Sequence, residues 1–230
     1  MRVLRRLIKV SAVMLGAGLV VTGCSPVKLG AAAIVGNQRI TIATLDTEVA
    51  NLSQAAKKYP GNISLSQAQE TQQTLTWLVR FQIAEQLARQ DGITVSAAQA
   101  QNALEEILAA AKSQAQASGV SNVTLTLILA ANGIPPSLSA EVGRYQAIQT
   151  QYVERANGGQ LPTTTAAQTA SSAKLAQAQC VAAKFLKISI NPQFGRLDYR
   201  QLSVVPAAST VTRAAGPAKA ASSPGLTPAC

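Results

Sequence analysis

Residues 31–41 read Ala31-Ala32-Ala33-Ile34-Val35-Gly36-Asn37-Gln38-Arg39-Ile40-Thr41, and the fold follows from what this stretch forms. The small and β-branched run from Ala31 to Gly36 reads as a buried strand, Asn37-Gln38 as a turn and Arg39-Ile40 as a brief return strand. Thr41 then stands where an N-cap belongs, its hydroxyl placed to accept from the free amides of a helix running through Ile42 to Lys57. Ile42, Leu45, Val49 and Leu52 share one face of that helix. Asp46 and Glu48 lie in its N-terminal half, where the backbone dipole favours anions. Tyr59-Pro60-Gly61-Asn62 closes it as a turn.

Downstream the pattern is helical almost throughout. Ser66 to Gln90 carries two apolar stripes, Leu75, Leu78, Val79, Ile83 and Leu87 on one side and Trp77, Phe81, Ala84 and Ala88 on the other. A helix apolar on two sides is covered from two directions and is therefore central. Gly92 ends it as a C′ residue, with Arg89 in the last turn. Ser96 with Gln99 makes a capping box for a helix to about Ala117, whose stripe is Leu104, Ile107, Leu108, Ala111 and Ala115. Between Asn122 and Ala131 the alternation Val123-Thr124-Leu125-Thr126-Leu127 suits a strand, while Leu125, Ile128 and Leu129 suit a helix closed by Asn132-Gly133; it is read as a helix. Pro135-Pro136 and Ser137 start another helix to about Ala156, and Thr165 to Lys184 reads as the last. Phe185–Ile190 is expected to be a strand, Asn191-Pro192-Gln193-Phe194-Gly195 a turn, and Leu202–Val205 a return strand. From Pro206 the chain is Ala, Ser, Thr, Pro and Gly with few large apolar residues, the composition of a disordered tail.

Upstream of the strand, Arg2, Arg5, Arg6 and Lys9 precede an uncharged run from Val10 to Val21. A basic start, a short apolar stretch and small residues at a cut describe an export signal, and the run is shorter than the roughly 20 apolar residues of a membrane span. Here the small residues end in Val21-Thr22-Gly23-Cys24. That motif resembles the lipobox of bacterial lipoproteins. The resemblance implies cleavage after residue 23, acylation of the Cys24 thiol, and lipid anchoring at the extracytoplasmic face of the cell membrane. Residues 24–30 would then be a short lipidated tether, 31–205 the folded domain and 206–230 the tail.

Composition narrows the function. There is no histidine, which removes Ser-His-Asp and Cys-His nucleophile systems, HExxH zinc sites and imidazole proton shuttles. No catalytic spacing, metal-ligand cluster or cofactor motif takes their place. Formal charge is +10, and with four of the 20 basic residues in the leader, 16 remain against 10 acids. That surplus favours anionic cell-wall or membrane surfaces. It lacks the clustered Lys/Arg and interleaved aromatics of a nucleic-acid site. Of three cysteines, Cys24, Cys180 and Cys230, the acylation of the first leaves Cys180 and Cys230 to pair in an oxidising compartment, to remain thiols or to find partners elsewhere. Glu105-Glu106 are adjacent on a helix and point about 100° apart, which fits a solvated face better than a carboxylate pair.

Three stretches carry a more specific likeness. Ala33-Ile34-Val35-Gly36-Asn37-Gln38-Arg39-Ile40-Thr41 leading into a helix resembles the opening of the SurA N-terminal-domain family. Gln90-Asp91-Gly92-Ile93-Thr94-Val95-Ser96 between two long helices is similar to that family's connector. Ile190-Asn191-Pro192-Gln193-Phe194-Gly195 with its following strand resembles the end of lipoproteins in the group. The chain departs from the family in having Gly36-Asn37-Gln38 where Asn-Gly-Glu is usual. The resemblance implies a mainly α fold of five to six helices closed by a small sheet from both chain ends, here Ala31–Val35, Phe185–Ile190 and Leu202–Val205. Relatives often insert a parvulin-type prolyl isomerase domain. Fewer than thirty residues separate Gly159 from Leu186, too few for one, and such active sites rely on histidine.

The expected function is therefore non-enzymatic: a lipid-anchored, chaperone-like protein holding unfolded exported clients, without cofactor or nucleic acid. Client apolar segments would enter a groove walled by the helix carrying Trp77 and Phe81 and the helix carrying Tyr145 and Tyr152. At helical spacing these aromatics equally suit a core. The competing expectation is a structural or adaptor lipoprotein binding one specific partner or cell-wall polymer.

Overall fold

The structure is a computed structural model, and it describes residues 30–119 and 122–207. It opens with a hairpin of β1 (Ala31–Val35) and β2 (Gln38–Thr41), in which Val35 lies opposite Gln38. The loop is thus Gly36-Asn37, one position earlier than the sequence reading put it. The reason is conformational: Gly36 has φ +60°, the sign that tight hairpin turns need and glycine adopts without steric penalty. Its amide donates to the carbonyl of Leu186 at 2.8 Å, so the turn is also where the chain's far end docks.

Six helices follow, α1 (Ile42–Lys58), α2 (Gln67–Gln90), α3 (Ala97–Ala117), α4 (Leu125–Ala131), α5 (Ser139–Ala156) and α6 (Thr165–Phe185). Their starts are chemical. The hydroxyl of Thr41 accepts from the amide of Thr44 at 3.0 Å. Ser66 and Ser96 each complete a capping box with Gln69 and Gln99. Thr124 caps α4 through the amide of Leu127, which decides the ambiguous Asn122–Ala131 stretch for helix. At the end of α2, the amide of Ile93 returns to the carbonyl of Ala88 at 2.8 Å across Gly92, φ +60°, the Schellman closure.

Helix α2 is the hub, packing against α1, α5, α6, β1 and β5. Its Leu75, Val79, Ile83 and Leu87 meet Ala32, Ala33 and Val35 of β1 and Ala182 and Ala183 of α6 in the main core. Phe81 faces the other way, into a second core with Leu104, Leu129, Ile134, Leu138 and Val142. Ala84 and Ala88 pack with Ile93 and Ile148. Both stripes read from the sequence pack inward on opposite sides, with Leu78 and Trp77 only partly buried.

The sheet departs from expectation in two places. Only β3 (Ser189–Ile190) of Phe185–Ile190 is strand; Phe185 is the last residue of α6, and Lys187 at φ +49° swings the chain into β3. β3 joins the open edge of β1, Ala33 opposite Ile190, giving the order β2-β1-β3. Leu202–Val205 does not join that sheet. Residues 203–205 form β5, which pairs with β4 (Arg196–Asp198) in a separate two-stranded sheet. Pro192 has no amide to extend β3, and Asn191 turns the chain at once: its side-chain amide donates to the carbonyl of Ala31 at 3.1 Å and its carboxamide oxygen accepts from the amide of Gln193 at 3.2 Å. Asp198 closes the next turn by accepting from the amide of Arg200 at 2.8 Å. The leader at 1–23, the tether from Cys24 and the tail with Cys230 lie outside the described residues. Among the described residues no helix is long and apolar enough to cross a membrane.

Helices α3 and α5 are in close contact at Gly143, where an added Cβ would lie 2.3 Å from the carbonyl oxygen of Ala100 and 2.8 Å from Leu104. In an exposed helix Gly→Ala stabilises by about 1 kcal/mol. Here it drives a methyl into a backbone carbonyl, so Gly143→Ala should destabilise by about 1–3 kcal/mol. Urea unfolding checks the sign, which is opposite to that of helix propensity.

Candidate functional site

On a flank of α2 at the margin of the second core, Gln69, Gln72, Gln73, Thr76, Trp77 and Arg80 line up along the helix. They form one wall of an open trough of about 450 Å³. The end of α4, at Ala131 and Asn132, and the strand residues Ser203 and Val204 complete it. Past Arg80 the depression continues into a smaller cavity of about 250 Å³ lined by Tyr145, Gln149, Gln179 and Gln201. The lining is rich in carboxamides, and Arg80 is its single charge. Carboxamides both donate and accept, so such walls can pair with the amides and carbonyls of a bound chain whatever its sequence.

Two residues of α2 fix the trough's far wall. The hydroxyl of Thr76 donates to the carbonyl of Gln72 at 2.7 Å and accepts from the buried amide of Val204 at 2.8 Å. The guanidinium of Arg80 donates to the carbonyls of Leu202 and Gln201, both at 3.0 Å. Leu202 has φ +48°, a conformation bulky residues rarely adopt, and it is Arg80 that holds its carbonyl there. Arg80 also lies 5.1 Å from the centre of the Trp77 ring, a cation–π distance. The hydroxyl oxygen of Ser203, on the trough's strand side, is buried without a hydrogen-bond partner.

Of the four aromatics expected to wall a groove, three come together. Trp77, Phe81 and Tyr145 form a triangle with ring centres 5.8–5.9 Å apart. Their roles differ. Trp77 is half-buried and faces the trough, its indole N–H directed at the carbonyl of Asn132 at 3.4 Å. Phe81 is only 7% exposed and belongs to the core beneath. Tyr145 lines the smaller cavity. Tyr152 lies apart, in a groove of about 350 Å³ with Leu87, Ala178 and Val181. Burial, and secondarily the charge of Asp91, raises its phenol pKa. Glu105 and Glu106 are exposed, as a solvated face requires. Cys180 is buried and disulfide-bonded, its partner lying outside the described residues.

Sequence reasoning did not find the polar clamp on the connector after α2. A stripe on α5 holds it: Arg144 donates to the carbonyl of Val95 at 3.0 Å, Gln151 to that of Thr94 at 3.3 Å, and Arg155 to those of Asp91 and Gly92. Arg144 also forms a two-pronged ion pair with Glu85, and this hydrogen-bonded partner raises the guanidinium pKa. The spacing of 144, 151 and 155 was the available signal, since residues seven and eleven apart share a helix face. Glu70, near the trough's start, is buried, and desolvation raises its carboxyl pKa against the opposing pull of Lys57 and Ser53.

The domain is mainly α, closed by strands from both ends, with a carboxamide-lined trough on one flank of α2. Residues 1–153 match the family model described as the SurA-like N-terminal domain. The chain belongs to that family, a chaperone-like and non-catalytic type of domain. No curated protein and no solved structure matches it. The matched stretch runs from the start of the chain through most of α5; α6 and β3–β5 lie beyond it.

Replacing Thr76 by Val keeps the shape and removes the hydroxyl, leaving the buried amide of Val204 unpaired. Such a loss costs about 1–3 kcal/mol. Thr76→Val should lower stability by that amount and speed hydrogen exchange at Val204 before the rest of the domain. Unchanged exchange there would show that the hairpin is held by other contacts.

Proposed function

We propose that this protein is a lipid-anchored, extracytoplasmic holder of unfolded exported clients and works without catalysis. The trough beside Trp77 carries the reading. It offers one large half-exposed aromatic surface to a client's apolar side chain and carboxamides to its backbone. Membership of a chaperone-like family supports the same conclusion. The mechanism differs from burial in a purely apolar groove. Trp77 supplies the apolar contact, while Gln69, Gln72, Gln73 and Asn132 supply sequence-tolerant hydrogen bonds. Affinity should therefore be weak and broad.

The address comes from Val21-Thr22-Gly23-Cys24 and its likeness to a lipobox. Acylation at Cys24 would place the domain at the outer face of the cell membrane, where newly exported chains emerge. An adaptor role toward one folded partner or a cell-wall polymer is the alternative. A single stoichiometric partner in a pull-down favours it over client holding.

Binding is measurable through Trp77, the chain's single tryptophan. Titration with a reduced, unfolded model polypeptide should shift its fluorescence saturably, and the protein should delay that polypeptide's aggregation. Trp77→Leu keeps an apolar contact for the core beneath and should weaken binding about tenfold (~1.4 kcal/mol), more than truncating most interface residues costs, measured by calorimetry. No saturable binding and no delay of aggregation would remove the reading. Separately, Cys24→Ala should move the protein from the membrane fraction to the soluble fraction with an unchanged unfolding midpoint; continued sedimentation with membranes would remove the anchor.

A further inference from the structure

Helix α6 has a flank that the domain leaves open. Val181 is 58% exposed and Phe185, one turn on, is 66% exposed, more than any other large apolar side chain described. Residues four apart stack on one face, so the two form a single apolar patch. Lys174 and Ala178 continue that flank beside the groove shared with Leu87 and Tyr152. Cys180 is not part of the patch; it is 3% exposed and turned toward the interior.

The charge that α6 and the turn after it carry beside the patch is positive. Lys174, Lys184 and Lys187 are exposed. From Arg155 to Arg196 the chain holds these three lysines, the two terminal arginines and no Asp or Glu. The single acid on the adjoining groove is Asp91. An exposed Phe and Val bracketed by long-stemmed lysines match a lipid interface, where apolar tips enter the acyl boundary and ammonium groups meet anionic headgroups. An unfolded client offers no fixed anionic plane for three lysines at once.

We propose that the Val181–Phe185 flank of α6, with Lys174, Lys184 and Lys187, docks on an anionic lipid surface. The idea goes beyond client holding and uses its anchor for one point only, reach. The end of α6 sits at the Gly36 turn, because the amide of Gly36 donates to the carbonyl of Leu186. Strand β1 separates that turn from Gly30 by about 17–20 Å. The six residue-to-residue steps from Cys24 to Gly30 extend at most about 20–22 Å, so an acylated Cys24 and Phe185 can touch one bilayer together.

The test places a reporter at the contact. Phe185→Trp in the full chain is mixed with vesicles of brominated phosphatidylglycerol or brominated phosphatidylcholine, with the wild-type chain and its Trp77 as reference. Expected is strong quenching of the new tryptophan on the anionic vesicles alone. Replacing Lys174, Lys184 and Lys187 together by Gln should lower vesicle partitioning by at least about tenfold. Quenching no greater than that of Trp77, or equal on both lipids, overturns the proposal. The Cys24→Ala form of the same variant separates the two ideas: retained quenching there supports the flank whatever the fate of the anchor.

Discussion

The constraint on which the structure depends is that α2 must be covered on two sides at once. Leu75, Val79, Ile83 and Leu87 need one apolar layer, Phe81, Ala84 and Ala88 another. Neither layer can be built from neighbouring sequence alone. The first takes β1 from before α2 and α6 from about a hundred residues after it. The second takes α3, α4 and α5. A helix with this demand forces the chain to return on itself, and the meeting of β1 with β3 is the consequence. Asn191 secures that meeting with backbone and side-chain bonds to Ala32 and Ala31.

The remaining flank of α2 is polar and half-exposed, and this is where the trough lies. Its polarity is structural before it is functional. Thr76 and Arg80 use their donors and acceptors on the backbone of β5 and the turn before it. Burying an unpaired amide costs about 1–3 kcal/mol, so a hairpin pressed against a helix needs such partners. Arg80 does more than satisfy carbonyls, since it also lies against Trp77 and keeps the indole at the trough's edge. Stability of the hairpin and presentation of the aromatic are thus coupled through one side chain.

Local features were legible in the sequence because they are encoded locally. Thr41 and Ser96 as caps, Gly92 as a stop and the two stripes of α2 follow from spacing and from the chemistry of single residues. The hairpin turn was misplaced by one residue because Gly36 and Asn37 both suit turns, and only docking of Leu186 on Gly36 separates them. The expected three-strand union of Leu202–Val205 with β1 failed for a long-range reason: β4 competes for β5, and Gly195, where a Cβ would lie 2.2 Å from the carbonyl oxygen of Val205, lets the two strands close. Among the aromatics, helical spacing grouped Trp77 with Phe81 but could not tell that one faces the trough and the other the core.

The trough is assembled from two kinds of sequence. Gln69 to Arg80, Asn132, Tyr145 and Gln149 lie within the stretch that matches the SurA-like N-terminal domain. Gln179, Gln201, Leu202, Ser203 and Val204 lie beyond it. Of the elements around α2, β1, α1 and most of α5 fall within the matched stretch, while α6 and β5, with the trough wall they carry, fall beyond it. That wall is tied to the main core, because it meets α2 through Thr76 and Arg80 and through the burial of Leu202 and Val204 among Leu75, Val79 and Ile83.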